Sequence, residues 1–159
     1  DAGRPGVAVA TPLMPQQRQA LAEEFREVLH AGLHGLCFSP YQAGQAPGSE
    51  VGEGQIRARL EIVRPYARWV RSFSCTEGHL HTPRIARELG LRTLVGAWLG
   101  TDREINEREI AGAIEVARSG HADLLAVGNE VLLREDLGED DLGGIERDIV
   151  SGVAVDRDE

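Results

Sequence analysis

Short apolar segments alternate along this chain with segments whose apolar residues recur at helical spacing, and this alternation limits the fold more than any other feature. The short segments cover residues 36–39, 69–73, 93–98 and 124–127. Short apolar runs bounded by turn residues are typical of buried strands, whereas a period near 3.6 is typical of helices. Strands and helices that alternate in this way form parallel sheets with helical crossovers. The sequence therefore predicts an α/β fold.

The helix-like segments are marked by cap residues or by apolar residues three or four positions apart. A first helix follows the proline-rich stretch 11–15 and ends at Gly32, and Thr82 with Pro83 begins a later one. Residues 142–149 predict a last helix, and 153–155 are interpreted as the start of a fifth strand. The apolar stripes consist of Leu21, Phe25, Val28 and Leu29, of Ile56, Leu60, Val63 and Ala67, of Ile85, Ala86 and Leu89, and of Ile110, Ala113, Ile114 and Ala117.

Two parallel architectures fit this alternation, a doubly wound open sheet and an eight-stranded β/α barrel. A barrel needs about 250 residues, so a length of 159 residues favours the open sheet. No glycine-rich phosphate loop follows the first strand, because Ser39, Pro40 and Tyr41 stand there instead, and nucleotide binding is disfavoured. The expected organisation is a helical segment over 1–34 followed by an α/β region over 35–159.

The charge balance narrows the classes of partner. A net charge of -9 opposes binding to nucleic acid and to anionic membranes, and no apolar run is long enough to span a bilayer. The chain begins at Asp1 without Met and is therefore interpreted as a processed product or an excerpt. The absence of a signal-like pattern then leaves extracellular, periplasmic and cytoplasmic locations open. Cys37 and Cys75 are expected to be core thiols, with a disulfide between them as the alternative. Their spacing gives no support for zinc binding.

Polar and aromatic side chains follow each predicted strand, and the carboxyl ends of parallel strands share one surface. A sugar site needs aromatic faces for stacking, fixed polar groups for hydroxyls and carboxylates for proton transfer, and these residues supply all three. The candidates at the strand ends are Tyr41 after the first strand, Arg71, Ser72, Ser74 and Glu77 around the second, Trp98 and Asp102 after the third, and Asn129 and Glu130 after the fourth.

Each of these candidates also has a structural alternative. Trp98 could be a core aromatic, Tyr41 a loop anchor and Glu130 a solvated acid at a helix entrance. Arg71 lies within an apolar strand, so it either needs a buried carboxylate partner or orients a catalytic one. Among the histidines, His79, His81 and His121 do not converge with other metal ligands, and His30 and His34 are interpreted as surface or cap residues.

Residues 127–131, Val-Gly-Asn-Glu-Val, resemble the acid/base motif of glycoside hydrolase family 17, the β-1,3-glucanase and glucan transglycosylase family. Three further segments resemble that family's first three strands in the same order, particularly those of bacterial members. These segments are 35–41 (Gly-Leu-Cys-Phe-Ser-Pro-Tyr), 70–73 (Val-Arg-Ser-Phe) and 95–101 (Val-Gly-Ala-Trp-Leu-Gly-Thr). The resemblance runs from about Gly32 to Asp136.

The resemblance implies a (β/α)8 barrel, of which residues 35–159 would form the N-terminal half with four to five βα units. It also implies that Glu130 is the general acid/base of a retaining reaction and that Asn129 binds the sugar 2-hydroxyl. Arg71, Trp98, Tyr41 and Glu77 are the further expected substrate contacts, and neither a metal nor a cofactor is implied.

The same resemblance places the catalytic nucleophile after a seventh strand, and no counterpart of it is found in this sequence. The chain alone is therefore expected to be inactive. The alternatives are a carbohydrate-binding or interaction protein without catalysis and an inactive truncated fragment. Its expected partners are a β-glucan and either a second copy or a separate C-terminal half.

Overall fold

The computed structural model describes residues 12–154, and four parallel strands with helices between them form its α/β fold. The predicted fold class is confirmed at this level. In chain order the elements are α1 (Pro15–Ala31), β1 (Leu33–Cys37), α2 (Glu53–Val63), β2 (Ala67–Arg71), a 3-10 turn (His79–His81), α3 (Thr82–Glu88), β3 (Arg92–Ala97), α4 (Arg103–Arg118), β4 (Leu124–Val127) and α5 (Glu139–Ala154).

The sheet has the strand order β1-β2-β3-β4, so each strand pairs with its neighbour in sequence. Leu36 pairs with Val70 in the first ladder, and Val95 pairs with Leu125 in the third. A parallel pair needs a crossover connection, and one helix of the chain lies in each connection. The strand ends at Cys37, Arg71, Ala97 and Val127 consequently meet at one edge of the sheet.

The core lies between the sheet and the crossover helices. Val70 belongs to a first cluster and Val95 to a second, and both are almost fully buried. The alternation of side chains along a strand puts residues 69, 71 and 94 on the opposite face. The buried apolar residues are Phe38, Val51, Ile56, Leu60, Val70, Ile85, Ala86 and Leu91 in the first cluster, and Cys75, Val95, Ala97, Ala113 and Val116 in the second.

No helix among the described residues covers that opposite face. Trp69, Leu94 and Leu124 line a shallow cavity of about 360 Å³ there, and Leu124 is 55% exposed. The guanidinium of Arg92 lies 4.3 Å from the Trp69 ring centroid and donates to Asp123 at 2.9 Å. The face is therefore apolar in its middle and bordered by charge.

Helix α1 forms over the predicted stripe and ends at Gly32, whose φ of 84° is readily adopted by glycine. Its apolar residues, however, contact little of the protein: Leu21, Phe25 and Val28 are about half exposed or more. None of the helices between residues 12 and 154 combines the length and hydrophobicity needed to cross a membrane.

The fifth strand predicted over 153–155 is wrong where the structure describes it, because Val153 and Ala154 lie in helix α5. Val155 lies outside the described residues. Helix α5 continues this far because it packs on α4: Ile149 is buried, and a Cβ on Gly152 would lie 2.8 Å from the Ile114 side chain. The close approach of two helices outweighs the local β preference of valine.

The two thiols have different environments and are both free. Cys75 is a core thiol as predicted, and burial, together with the charge of Glu109, raises its pKa to about 12. The prediction is wrong for Cys37, which is exposed at the end of the edge strand β1. The structure thus favours the thiol interpretation over the disulfide.

The packing of α4 on the segment after β2 leaves no room for a side chain at Gly112. A Cβ there would lie 2.7 Å from Cys75 Cβ and 2.9 Å from its carbonyl oxygen. We expect Gly112→Ala to lower the free energy of unfolding by roughly 1–3 kcal/mol through overpacking, measured by urea denaturation. Gly54 in α2 has open space around its Cβ. The control Gly54→Ala is expected to raise stability by about 0.5–1 kcal/mol. Equal responses of both variants would contradict tight packing at Gly112.

Candidate functional site

A cleft of about 520 Å³ opens at the carboxyl ends of the strands. Ligand sites of parallel α/β folds lie at this edge, because loops from several strands converge there. The cleft is lined by Phe38, Ser39, Tyr41, Pro47, Gly48, Phe73, Ser74, Thr76, Glu77, His79, Trp98, Ile105, Glu109 and Asn129. It therefore combines four aromatic rings with two carboxylates, an amide and hydroxyl groups.

Of the six site residues that the family resemblance implies, four line this cleft directly: Tyr41, Glu77, Trp98 and Asn129. Ser74, a further strand-end candidate, lines it as well. Arg71 contacts the site from beneath through Asn129. Glu130 follows Asn129 in the chain, but its side chain is exposed and is not part of the cleft wall. The structure thus brings the substrate-binding candidates together and leaves the acid/base candidate at the margin.

The Arg71 guanidinium donates from Nη2 to Asn129 Oδ1 at 2.8 Å. A guanidinium has only donors, so this contact fixes the amide of Asn129 with its oxygen toward Arg71 and leaves its NH2 group for a ligand. Within the described part of the chain Arg71 has no carboxylate partner, and its buried Nε has no hydrogen-bond partner. The predicted carboxylate pairing of Arg71 is therefore replaced by a contact with an amide and by the Phe73 ring, 4.9 Å away.

The segment after β4 holds Glu130 in an uncommon backbone conformation. Gly128 and Glu130 have φ values of 76° and 55°, and both lie in the left-handed region. For a residue other than glycine this region costs about 1–2 kcal/mol, and it persists only where surrounding contacts fix it. Here the Gly128 N–H donates to Ala97 at 2.9 Å, the Arg134 N–H donates to the Glu130 carbonyl at 2.8 Å, and Val131 is buried. The strained position thus coincides with the acid/base candidate.

Trp98 is 40% exposed and lies at the mouth of the cleft. Its interpretation as a core aromatic is therefore wrong. The Arg134 guanidinium carbon lies over the indole, 4.8 Å from the ring centroid. The backbone N–H of Trp98 donates to the Glu109 carboxylate at 3.1 Å. Both the ring and the backbone of Trp98 are thus held in place.

Glu109 of α4 was not predicted as a site residue, yet its carboxylate organises the cleft. It is 1% exposed and accepts hydrogen bonds from the Cys75 N–H at 2.8 Å, the Trp98 N–H, the Thr76 hydroxyl at 2.7 Å and the Ser74 hydroxyl. Four donors from two separate loops satisfy both oxygens, which is what a buried carboxylate needs.

A signal for Glu109 exists in the sequence, although the charged character of α4 hides it. Asn106, Glu109, Ala113 and Val116 are spaced three or four residues apart, and all four are buried. An acid in the buried stripe of a helix must have donors nearby, so the helical period could have indicated it.

Tyr41 and His79 form the opposite wall of the cleft. The Tyr41 hydroxyl lies 3.1 Å from His79 Nε2, and the two rings meet edge to face with centroids 5.4 Å apart. Burial lowers the pKa of His79, so its imidazole is neutral at neutral pH. Burial also raises the pKa of Tyr41, with a further contribution from the charge of Glu77. Tyr41 packs against the first core cluster as well, so it is both a loop anchor and a wall of the cleft.

Comparisons with known proteins give no match. No family model matches the chain, and neither the curated proteins nor the solved structures compared with it are similar to it. Among the residues that the structure describes, no group of three or more potential metal ligands converges. The chemistry of the cleft residues therefore carries the functional assignment.

The lowered pKa of His79 makes stability depend on pH. Because its folded pKa lies below its ordinary value of about 6.5, the unfolded state takes up the proton first. We expect the contribution of His79 to the free energy of unfolding to be constant above about pH 6.5. As the pH drops from about 6.5 toward the folded pKa, this contribution should fall by at most ~1.4 kcal/mol per pH unit.

Denaturation as a function of pH tests this against two variants. His79→Gln should remove this part of the pH dependence, while the exposed His30→Gln should retain it. If His79→Gln kept the full dependence, His79 would not be its source.

The left-handed conformation of Glu130 also predicts the response to glycine. We expect Glu130→Gly to leave the free energy of unfolding unchanged or to raise it by up to about 1 kcal/mol, because glycine adopts this conformation without strain. Glu146, exposed within α5, provides the control. Glu146→Gly is expected to lower stability by about 1 kcal/mol. Thermal and urea denaturation would measure both, and a loss of similar size in both variants would argue against strain at Glu130.

Proposed function

We propose that this chain carries the acid/base side of a retaining glycoside hydrolase or transglycosylase site that acts on β-1,3-glucan. The observation that supports it best is the convergence of Tyr41, Glu77, Trp98 and Asn129 in one cleft, with Glu130 next to Asn129 in the chain. These residues come from loops after four different strands. Each of the four segments that resemble glycoside hydrolase family 17 supplies part of the cleft wall, through Phe38, Ser39 and Tyr41, Phe73, Trp98 and Asn129. No comparison with known proteins tests that resemblance.

The strand order supports a partial (β/α)8 barrel as the finer description of the fold. A doubly wound sheet reverses its strand order at a switch point, whereas the strands of a barrel follow one another around the ring. The order β1-β2-β3-β4 has no reversal, and within the described residues the helices leave one sheet face open. That face would become the barrel interior if further strands closed the ring.

The proposal requires further strands, which a C-terminal continuation, a separate C-terminal half or a second copy of this chain could supply. Four strands are described here, and the resemblance places the nucleophile after a seventh. All four strands run in the same direction, so β4 of one copy could pair in parallel with β1 of another. Two such pairings would complete an eight-stranded ring with twofold symmetry.

Glu130 would act twice in the proposed reaction. It would first donate a proton to the leaving oxygen and then accept one from the attacking water or sugar hydroxyl. Asn129 would donate from its NH2 group to the sugar 2-hydroxyl, because its oxygen is engaged by Arg71. Trp98 would stack on a sugar ring.

Of the two carboxylates that line the cleft, neither stands out as the nucleophile. Glu109 is buried, and both of its oxygens accept hydrogen bonds. Glu77 is half-buried and accepts from the Thr76 hydroxyl at 2.6 Å. These acids and the net charge of -9 favour a neutral saccharide over an anionic one.

A second candidate function is glucan binding without catalysis. One observation favours it: the aromatic and polar groups line the cleft, whereas Glu130 does not. A binding site needs only the former.

Oligosaccharides of β-1,3-linked glucose distinguish the two functions. We expect the chain to bind them. Trp98→Ala should weaken binding by roughly tenfold or more, because the indole buries the apolar C–H face of a sugar and tenfold in affinity corresponds to only about 1.4 kcal/mol. Titration calorimetry would measure affinity, and chromatography of the products would measure turnover by the chain alone and after mixing with the C-terminal half of a family 17 enzyme.

Glu130→Gln separates chemistry from binding. Turnover that is lost in Glu130→Gln but kept in Glu135→Gln, an exposed glutamate of the same loop with a φ of 58°, would support the acid/base role. Binding that persists in Glu130→Gln with no turnover under any condition would favour the second candidate. Neither binding nor turnover with β-1,3-glucan would contradict both.

A further inference from the structure

Arg134 lies on the turn after Glu130, and all three nitrogens of its guanidinium donate hydrogen bonds. Its Nη2 donates to the Leu99 carbonyl at 2.7 Å, its Nη1 donates to the Asn129 carbonyl, and its Nε donates to Asp136 Oδ2 at 2.7 Å. The flat face of the same group lies over the Trp98 ring, 4.8 Å from its centroid. Only 28% of the side chain is exposed.

These contacts join the loops after β3 and β4 beyond the backbone hydrogen bond from the Gly128 N–H to the Ala97 carbonyl. Leu99 belongs to the loop after β3 and Asn129 to the loop after β4, so one planar cation fixes the distance between them. A guanidinium suits this role because its donors form a rigid fork, whereas a lysine ammonium is a point charge on a flexible stem. Asp136 fixes the fork from its third side.

We propose that Arg134 is a positioning residue that holds Trp98 at a fixed place relative to Asn129 and Glu130, and so sets the geometry in which a saccharide is bound. This inference rests on the proposed function for its ligand. Trp98 has its backbone fixed by Glu109 but a side chain that is 40% exposed, so its ring depends on Arg134 for a defined orientation. A sugar that stacks on Trp98 while it bonds to Asn129 needs both at once.

The test uses the full chain with Trp69→Phe, which leaves Trp98 as the single tryptophan of the two in the sequence. Arg134→Met removes the cation, and Arg134→Lys keeps the charge but not the fork. Arg103→Met is the matched control, because Arg103 is exposed on α4 and pairs only with Glu107 in the part of the chain described. Fluorescence anisotropy and acrylamide quenching report the mobility and accessibility of the Trp98 ring, and titration with β-1,3-linked glucose oligosaccharides reports affinity.

In both Arg134 variants we expect lower anisotropy, stronger quenching and affinity weaker by roughly tenfold, the size typical for the loss of charge-assisted hydrogen bonds. The Arg103→Met variant should match its parent in all three. Circular dichroism and thermal melting identify any variant that fails to fold, and Arg134→Lys then carries the test if Arg134→Met does not fold.

Unchanged anisotropy and quenching in both variants would overturn the proposal, as would unchanged affinity. A parent that binds none of these oligosaccharides would instead count against the proposed function. The anisotropy and quenching of Trp98 would in that case still decide whether Arg134 holds the ring.

Discussion

Glu109 places a negative charge inside the protein, and much of the cleft is arranged around the donors that this charge requires. A buried carboxylate is tolerated only when its oxygens are satisfied. The donors come from the segment after β2, at Ser74, Cys75 and Thr76, and from the loop after β3, at Trp98. The need to satisfy one helix side chain therefore brings two loops to fixed positions, and the floor of the cleft is a consequence of that need.

The loop after β4 is fixed by different means. Its backbone takes left-handed conformations at Gly128, Glu130 and Glu135, which only strong local contacts can maintain. Val131 is buried beneath it, and Arg134 links it to the neighbouring loop. The loops around the cleft are therefore held in two ways: Glu109 fixes those after β2 and β3, and Arg134 fixes the loop after β4.

Sequence patterns predict the secondary-structure elements of this protein better than the contacts between their side chains. The four apolar runs locate the strands because both faces of the sheet carry apolar residues, although β1 and β2 begin three and two residues before the predicted 36–39 and 69–73. Thr82 with Pro83 marks the start of α3. The predicted strand at residues 153–155 is wrong because packing of α5 on α4 depends on Ile114, which is distant in sequence.

Glu109, His79 and Arg134 are site residues that sequence reasoning misses for one reason. Each acts through partners on another segment of the chain. The helical spacing of Glu109 within α4 is its only local signal, and the surrounding charges hide it. Tyr41, Trp98 and Asn129 are found because position at a strand end is itself readable from the sequence. What a pattern cannot give is which of the neighbouring polar groups face each other.

The consecutive strand order has a consequence for how the chain reaches its structure. From β2 onward, each described strand pairs with the strand that precedes it in the chain, so none of these ladders needs a segment from a later unit. Loops closed between successive units stay short, and short closures cost little chain entropy. A nascent chain can therefore add one strand and one helix at a time in the order of synthesis. Each added unit buries the edge of the last and leaves a fresh edge for the next.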